Sequence, residues 1–102
     1  MITGDDGRFR LEGRIDMSNA DAILKEGARQ LFNGHPATVD LGGVTAVDSA
    51  AISLLLEWQR TAAAAGQRIH FVNLPAALRS LAELYGVSGL IESGGASGDG
   101  TS

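Results

Sequence analysis

Residues 39–56 read VDLGGVTAVDSAAISLLL, and the order of chemical types in that stretch decides the fold. Ala37-Thr38-Val39-Asp40-Leu41 has the make-up of a short buried strand, ended by Gly42-Gly43. Val44 to Val47 lead to Asp48, whose carboxylate suits the first unpaired amides of a helix. From about Ser49 to Ala65 the spacing is helical, with Gly66 as the stop. Ile52, Leu55, Leu56 and Ala63 make one apolar stripe, and Leu54, Trp58 and Thr61 extend it sideways. So broad an apolar face predicts contact with a sheet and with something else besides.

Upstream, Phe9 and Leu11 alternate with Arg8, Arg10 and Glu12, the period of a half-exposed strand, which Gly13 breaks before Arg14-Ile15-Asp16. Ser18 with Asp21 forms a capping signal, and Ala20, Ile23, Leu24, Ala28, Leu31 and Phe32 then follow a helical face that Gly34 ends. Downstream, Arg68 to Val72 reads as a third strand, and Pro75 fits the first turn of a helix buried through Ala77, Leu78, Leu81, Ala82 and Tyr85. Gly86 ends that helix, and Val87 to Ile91 reads as a last short strand. Helices alternating with strands imply parallel pairing with right-handed crossovers, hence an α/β layer fold. Different pairing around Gly13 would make the sheet mixed but mainly parallel, with about four strands and three or four helices.

The whole chain is 102 residues, room for one domain. The folded unit is expected over about Arg8 to Glu92, within a domain at 1–92. The last ten residues, SGGASGDGTS, read as a flexible tail with nothing to bury. The absence of cysteine excludes disulfides, a thiol nucleophile and cysteine-ligated zinc. A net charge of −4, with seven Arg and the single Lys25 scattered along the chain, argues against nucleic-acid binding. No apolar run approaches the roughly 20 residues that span a bilayer, so direct membrane insertion is not expected. Met1 to Gly7 carries Asp5 and Asp6 and does not resemble a secretory signal, which leaves the cytoplasm as the expected address.

Chemistry is sparse. No phosphate-binding glycine loop is present, and His35 and His70 lack the spacing of a metal pair, so neither cofactor nor metal is expected. Asp16, Asp40 and Asp48 each stand at or near the C-terminal end of an expected strand, the edge of an α/β sheet where ligands and partners meet. Asp48 suits a helix cap and Asp40 suits loop amides. Ser49, first in its helix, is a candidate phosphorylation site, because unpaired amides and the helix dipole favour an anion there; it also reads as a small residue allowing close approach. Trp58 has two readings, a core residue or an anchor on a docking surface.

These residues resemble the signature of STAS domains, the fold of bacterial anti-sigma-factor antagonists. The run from Val39 to Leu56 matches a strand ending in Asp-Leu, a loop, then Asp-Ser/Thr with small residues and an aliphatic helix. Leu11-Glu12-Gly13-Arg14-Ile15-Asp16 is similar to the family's Gly-x-Leu/Ile-Asp element. In phosphorylatable antagonists the second hydroxyl after the Asp takes the phosphate, and Ala50 stands there in this chain. The sequence is closer to the MlaB-type (toluene-tolerance) branch, which carries a single Ser or Thr, and Asn73-Leu74-Pro75 with Leu81 to Val87 is similar to that branch too. The resemblance implies a non-catalytic cytoplasmic subunit, peripheral to the inner membrane. Its partner would be the ATPase of an ABC transporter that moves phospholipid for outer-membrane asymmetry. The contact would involve Asp16, Asp48, Ser49, Ala50, Leu54 and Trp58. An antagonist phosphorylated at Ser49 is the alternative. Without its partner, an uncovered docking surface is expected to support weak self-association.

Overall fold

Alternation along the strands divides the sheet into a dry face and a wet one. The structure is a computed structural model describing residues 2–5, 7–32 and 35–92. β1 (Ile2–Asp5), β2 (Arg8–Ile15), β3 (Ala37–Val47) and β4 (Ile69–Val72) form one sheet in the order β1-β2-β3-β4. β1 pairs antiparallel with β2, while β2–β3 and β3–β4 are parallel. α1 (Ala20–Leu31) connects β2 to β3 and α2 (Ser49–Ala64) connects β3 to β4, while α3 (Ala76–Leu84) and a short α4 (Ser88–Glu92) follow β4. The fold class is the mixed, mainly parallel α/β sheet that the sequence predicts.

Phe9, Leu11, Val39, Leu41 and Phe71 are buried on the dry face, beneath Ile52 and Leu55 of α2 and Leu78 of α3. Burying each such side chain contributes about 1.5–3 kcal/mol. On the wet face Arg8, Arg10 and Glu12 are exposed, and Thr38 and Asp40 are half-buried. Because β2 and β3 are parallel, α1 and α2 both start from the same edge of the sheet and run back along it. That shared edge positions the candidate site.

Several expected boundaries are corrected by packing. β2 continues through Gly13 and β3 through Gly42-Gly43, with register shifts at Arg10/Glu12 and Gly13/Arg14 that absorb the glycines as irregularities. At Gly43 a Cβ would press on Glu12 Cγ and the Arg10 guanidinium, which lie over the backbone there. Asp40 therefore sits inside β3, not at its end. Val87 to Ile91 is not a strand: the Ile91 amide donates to the Val87 carbonyl at 3.1 Å, within the turn that forms α4. β1, unread in the sequence, is held by its antiparallel ladder with β2 and by the burial of Ile2.

The helix faces shift similarly. Ala28, Ala63 and Ala77 are exposed, and Tyr85 is 52% exposed, so none of them serves the core as expected. In α1 the buried positions are Ile23, Gly27 and Leu31. α2 ends at Ala64 and α3 begins after Pro75, each one residue from its expected boundary. Gly34 and the tail from Ser93 lie outside the described residues.

Candidate functional site

Asp48 closes the turn between β3 and α2 in extended conformation, with both carboxylate oxygens in use. One accepts the Ala50 amide at 2.8 Å, the expected cap, and the other accepts the Met17 amide at 3.3 Å. The Asp48 amide donates to the Ile15 carbonyl at 3.2 Å. One residue thus starts α2 and ties its tip to the β2–α1 loop.

That loop is built differently from its expected form. Ser18 does not cap α1; its hydroxyl and amide both donate to Asp16 Oδ1, and no side chain caps the helix. Asn19 braces the loop instead, accepting the Asp16 amide at 2.9 Å and donating to the Arg14 carbonyl at 2.7 Å. The Ser18 hydroxyl chiefly, then the Ser18 amide and the charge of Arg14, hold the Asp16 carboxyl below the usual carboxylate range. The side chain of Asp16 is committed to the loop. Its consequence is outward display of the next residue, Met17, which is 81% exposed.

Between the starts of α1 and α2 lies an open groove of about 580 Å³. Ala20, Asp21 and Leu24 form the α1 wall, with Met17 at the mouth. Ser49, Ala50, Ser53, Leu54 and Glu57 form the α2 wall. Of the residues singled out in the sequence, Ser49, Ala50 and Leu54 line this groove; Asp16 and Asp48 do not, and instead hold the β2–α1 loop and the start of α2 beside it. Ser49 is exposed, Ala50 half-buried and Leu54 nearly covered. Met17, Ser53 and Glu57 carry no reading in the sequence, and Asp21 is read there only as part of a capping signal; the four-residue interval from Ser49 to Ser53 is the available signal for one of them.

Trp58 has to be taken off the surface. It is 0% exposed, and its indole N–H donates to the Leu24 carbonyl at 3.3 Å. Gly27 makes this possible: a Cβ there would fall inside the contact radius of the indole Cζ2 and Cε2. Trp58 on the sideways flank of α2 is therefore covered by α1, within the same chain, whereas Thr61 on that flank is exposed. Trp58 is a core residue, not a partner anchor.

Asp40 lies on the wet face of the sheet, apart from the groove. Its carboxyl is held low chiefly by the Gly42 amide at 2.7 Å, then by Asn73 at 3.2 Å, with a smaller contribution from Arg10. Among the described residues no three His, Asp or Glu gather to hold a metal ion, and no helix is long and apolar enough to cross a membrane. The groove's own chemistry is a small-residue channel with two carboxylates, Asp21 and Glu57, on opposite walls.

The same architecture occurs in solved structures. SpoIIAA, described as an anti-sigma factor antagonist in its unphosphorylated form, superposes with a TM-score of 0.64 at 18% identity, covering 82% of this chain and 81% of that one. A structure of Mglu gives 0.59 at 20% identity over 74% of this chain and 20% of that one. Its native form gives 0.51 at 20% identity, over 69% and 21%. The chain thus spans about a fifth of Mglu. At these identities the likeness is one of fold. No curated protein sequence matches. The family model described as "Mlab, STAS domain" matches residues 1–92, and the chain belongs to the STAS domain family.

Proposed function

We propose that this chain is a non-catalytic STAS subunit that binds and supports the ATPase of an ABC transporter for phospholipid trafficking and outer-membrane lipid asymmetry. The supporting observation is the groove beside Ser49, open to solvent, with the displayed Met17 at its mouth and the Met17 amide tied to Asp48. Its shape suits a protein segment better than a small substrate, which is ordinarily enclosed over most of its surface. The MlaB description of the matching family model favours the same reading.

The test is co-expression with the ATPase encoded beside a phospholipid-transport permease in the same genome. The reading predicts a complex that survives affinity capture and size exclusion. Separate elution of the two proteins at micromolar concentration would contradict it.

A second reading rests on the exposure of Ser49 at the head of α2. As an anti-sigma-factor antagonist, the chain would gain the mass of one phosphate on incubation with the cognate kinase and ATP, and Ser49→Ala would abolish the gain. Ala50, at the position where phosphorylatable relatives carry the acceptor hydroxyl, weighs against this reading.

A further inference from the structure

The groove at the shared start of α1 and α2 has a chemistry of its own, and that chemistry restricts what can fill it. Both walls are helices, and neither presents the open row of amides and carbonyls that a strand edge has. An extended segment laid between them would find no sheet edge to pair with, so an occupant has to satisfy its own backbone. A helix does so. The wall residues Ala20, Ser49, Ala50 and Ser53 are small, allowing a helix to approach closely, and half-buried Leu24 offers apolar contact over a floor that includes the nearly covered Leu54. From Ser49 to Glu57 the α2 wall rises about 12 Å, roughly two helical turns.

Charge completes the description. Among the described residues lining the groove, Asp21 on α1 and Glu57 on α2 are charged, and both are negative. Asp21 holds Lys25 at 3.1 Å and Glu57 holds Arg60 at 2.8 Å, each within its own helix. Lys25 is 76% exposed in its side chain and Arg60 75%, so these are weak, solvent-screened pairs, and an incoming cation can exchange with them.

We infer that the groove receives a basic amphipathic helix of the ATPase, with apolar residues against Leu24 and Leu54 and Lys or Arg on both flanks reaching Asp21 and Glu57. The inference rests on the proposed ATPase partnership and specifies what the partner presents at that site. Opposed carboxylates on the two walls set the helix between them and steer its approach.

The experiment measures affinity between the chain and the ATPase subunit of the transporter, with hydrogen exchange on the ATPase in the same complex. Asp21→Lys combined with Glu57→Lys is expected to weaken binding more than threefold at about 50 mM salt, with the loss shrinking as salt is raised. Ser53→Trp, which fills the channel, is expected to abolish binding; circular dichroism and thermal melting establish that each variant is folded. Hydrogen exchange is expected to protect an ATPase helix bearing Lys or Arg on both sides of an apolar stripe. A change of threefold or less in the charge variant, wild-type affinity in folded Ser53→Trp, or protection confined to a loop, a strand or an acidic segment would overturn the inference while leaving the partnership standing. A dimer of the free chain that Ser53→Trp dissociates, with ATPase binding unchanged, would assign the groove to a second copy and overturn it too. Failure of the wild-type chain to bind the ATPase removes the partnership, and the inference with it.

Discussion

The seam between α1 and α2 has two unlike ends. At the far end the helices touch: Gly27 lets the Trp58 indole lie flat against α1, and the indole N–H reaches the Leu24 carbonyl. At the near end they part, and small residues on both walls leave a channel open to solvent. Leu24 belongs to both ends, its carbonyl to the closed part and its side chain to the open one. One helix pair thus divides its labour: the closed end fixes the spacing that holds the open end apart. Aromatic bulk and a missing Cβ seal one place, and missing bulk on both sides opens the other.

Removing the seal should have the largest effect. Trp58→Ala is expected to destabilise the fold by about 3–5 kcal/mol, read from urea unfolding, because the buried ring leaves a cavity and the Leu24 carbonyl loses its donor. A loss below about 1 kcal/mol would mean that the ring is not seated as described. Next comes crowding from the opposite wall. Gly27→Ala adds a methyl where the indole already sits, and a loss of about 1–3 kcal/mol is expected despite the better helix propensity of Ala. Trp58→Leu should relieve part of that penalty in a double-mutant cycle; strict additivity would refute the contact.

The tie between the two helix starts is weaker. Asp48→Ala removes the cap on Ala50 and frees the Met17 amide, so a loss of about 0.5–2 kcal/mol is expected. Asp48→Asn should recover part of it, because its side-chain oxygen can still cap, and equal losses for both variants would argue against the capping role.

The smallest effect concerns pH. Asp16 has its pKa lowered by Ser18 and Arg14 in the folded chain, so it binds a proton less readily there than when unfolded. A carboxyl shifted this way stabilises the fold above its unfolded pKa, near about 4, and the contribution is lost as pH falls through the lower folded value. Asp40 acts with the same sign. Asp16→Asn, whose oxygen can still accept from Ser18, should therefore lose less melting temperature than wild type between about pH 6 and pH 3. Equal losses would show that the Asp16 charge is not the part that matters.

The two ends were also unequally legible in the sequence. The start of α2 was readable because Asp48 uses a local signal, a carboxylate two residues before the amide it caps. The start of α1 was not, because the Ser18 hydroxyl turns back to Asp16 and the capping pattern has no use for it. Gly13 and Gly42-Gly43 look like strand ends in the sequence but are not, because shifts in register between neighbouring strands decide whether a glycine ends a strand or merely kinks it. Val87 to Ile91 was too short a run for periodicity to separate strand from helix. The breadth of the α2 apolar face was visible, but what covers it is a tertiary fact. Only the placement of Gly27 opposite Trp58 shows that the covering is internal. The groove was half visible, through Ser49, Ala50 and Leu54, and its other wall arrived with α1.

The most direct measurement of where the ATPase docks uses a photo-cross-linking amino acid at Met17, the exposed mouth of the groove, and in a second variant at Val72, exposed on β4. With the transporter ATPase co-expressed, irradiation should give a covalent adduct from position 17 and none from position 72. Adducts from position 72 with none from position 17 would place the partner on the sheet and contradict a docking site at the shared start of the two helices.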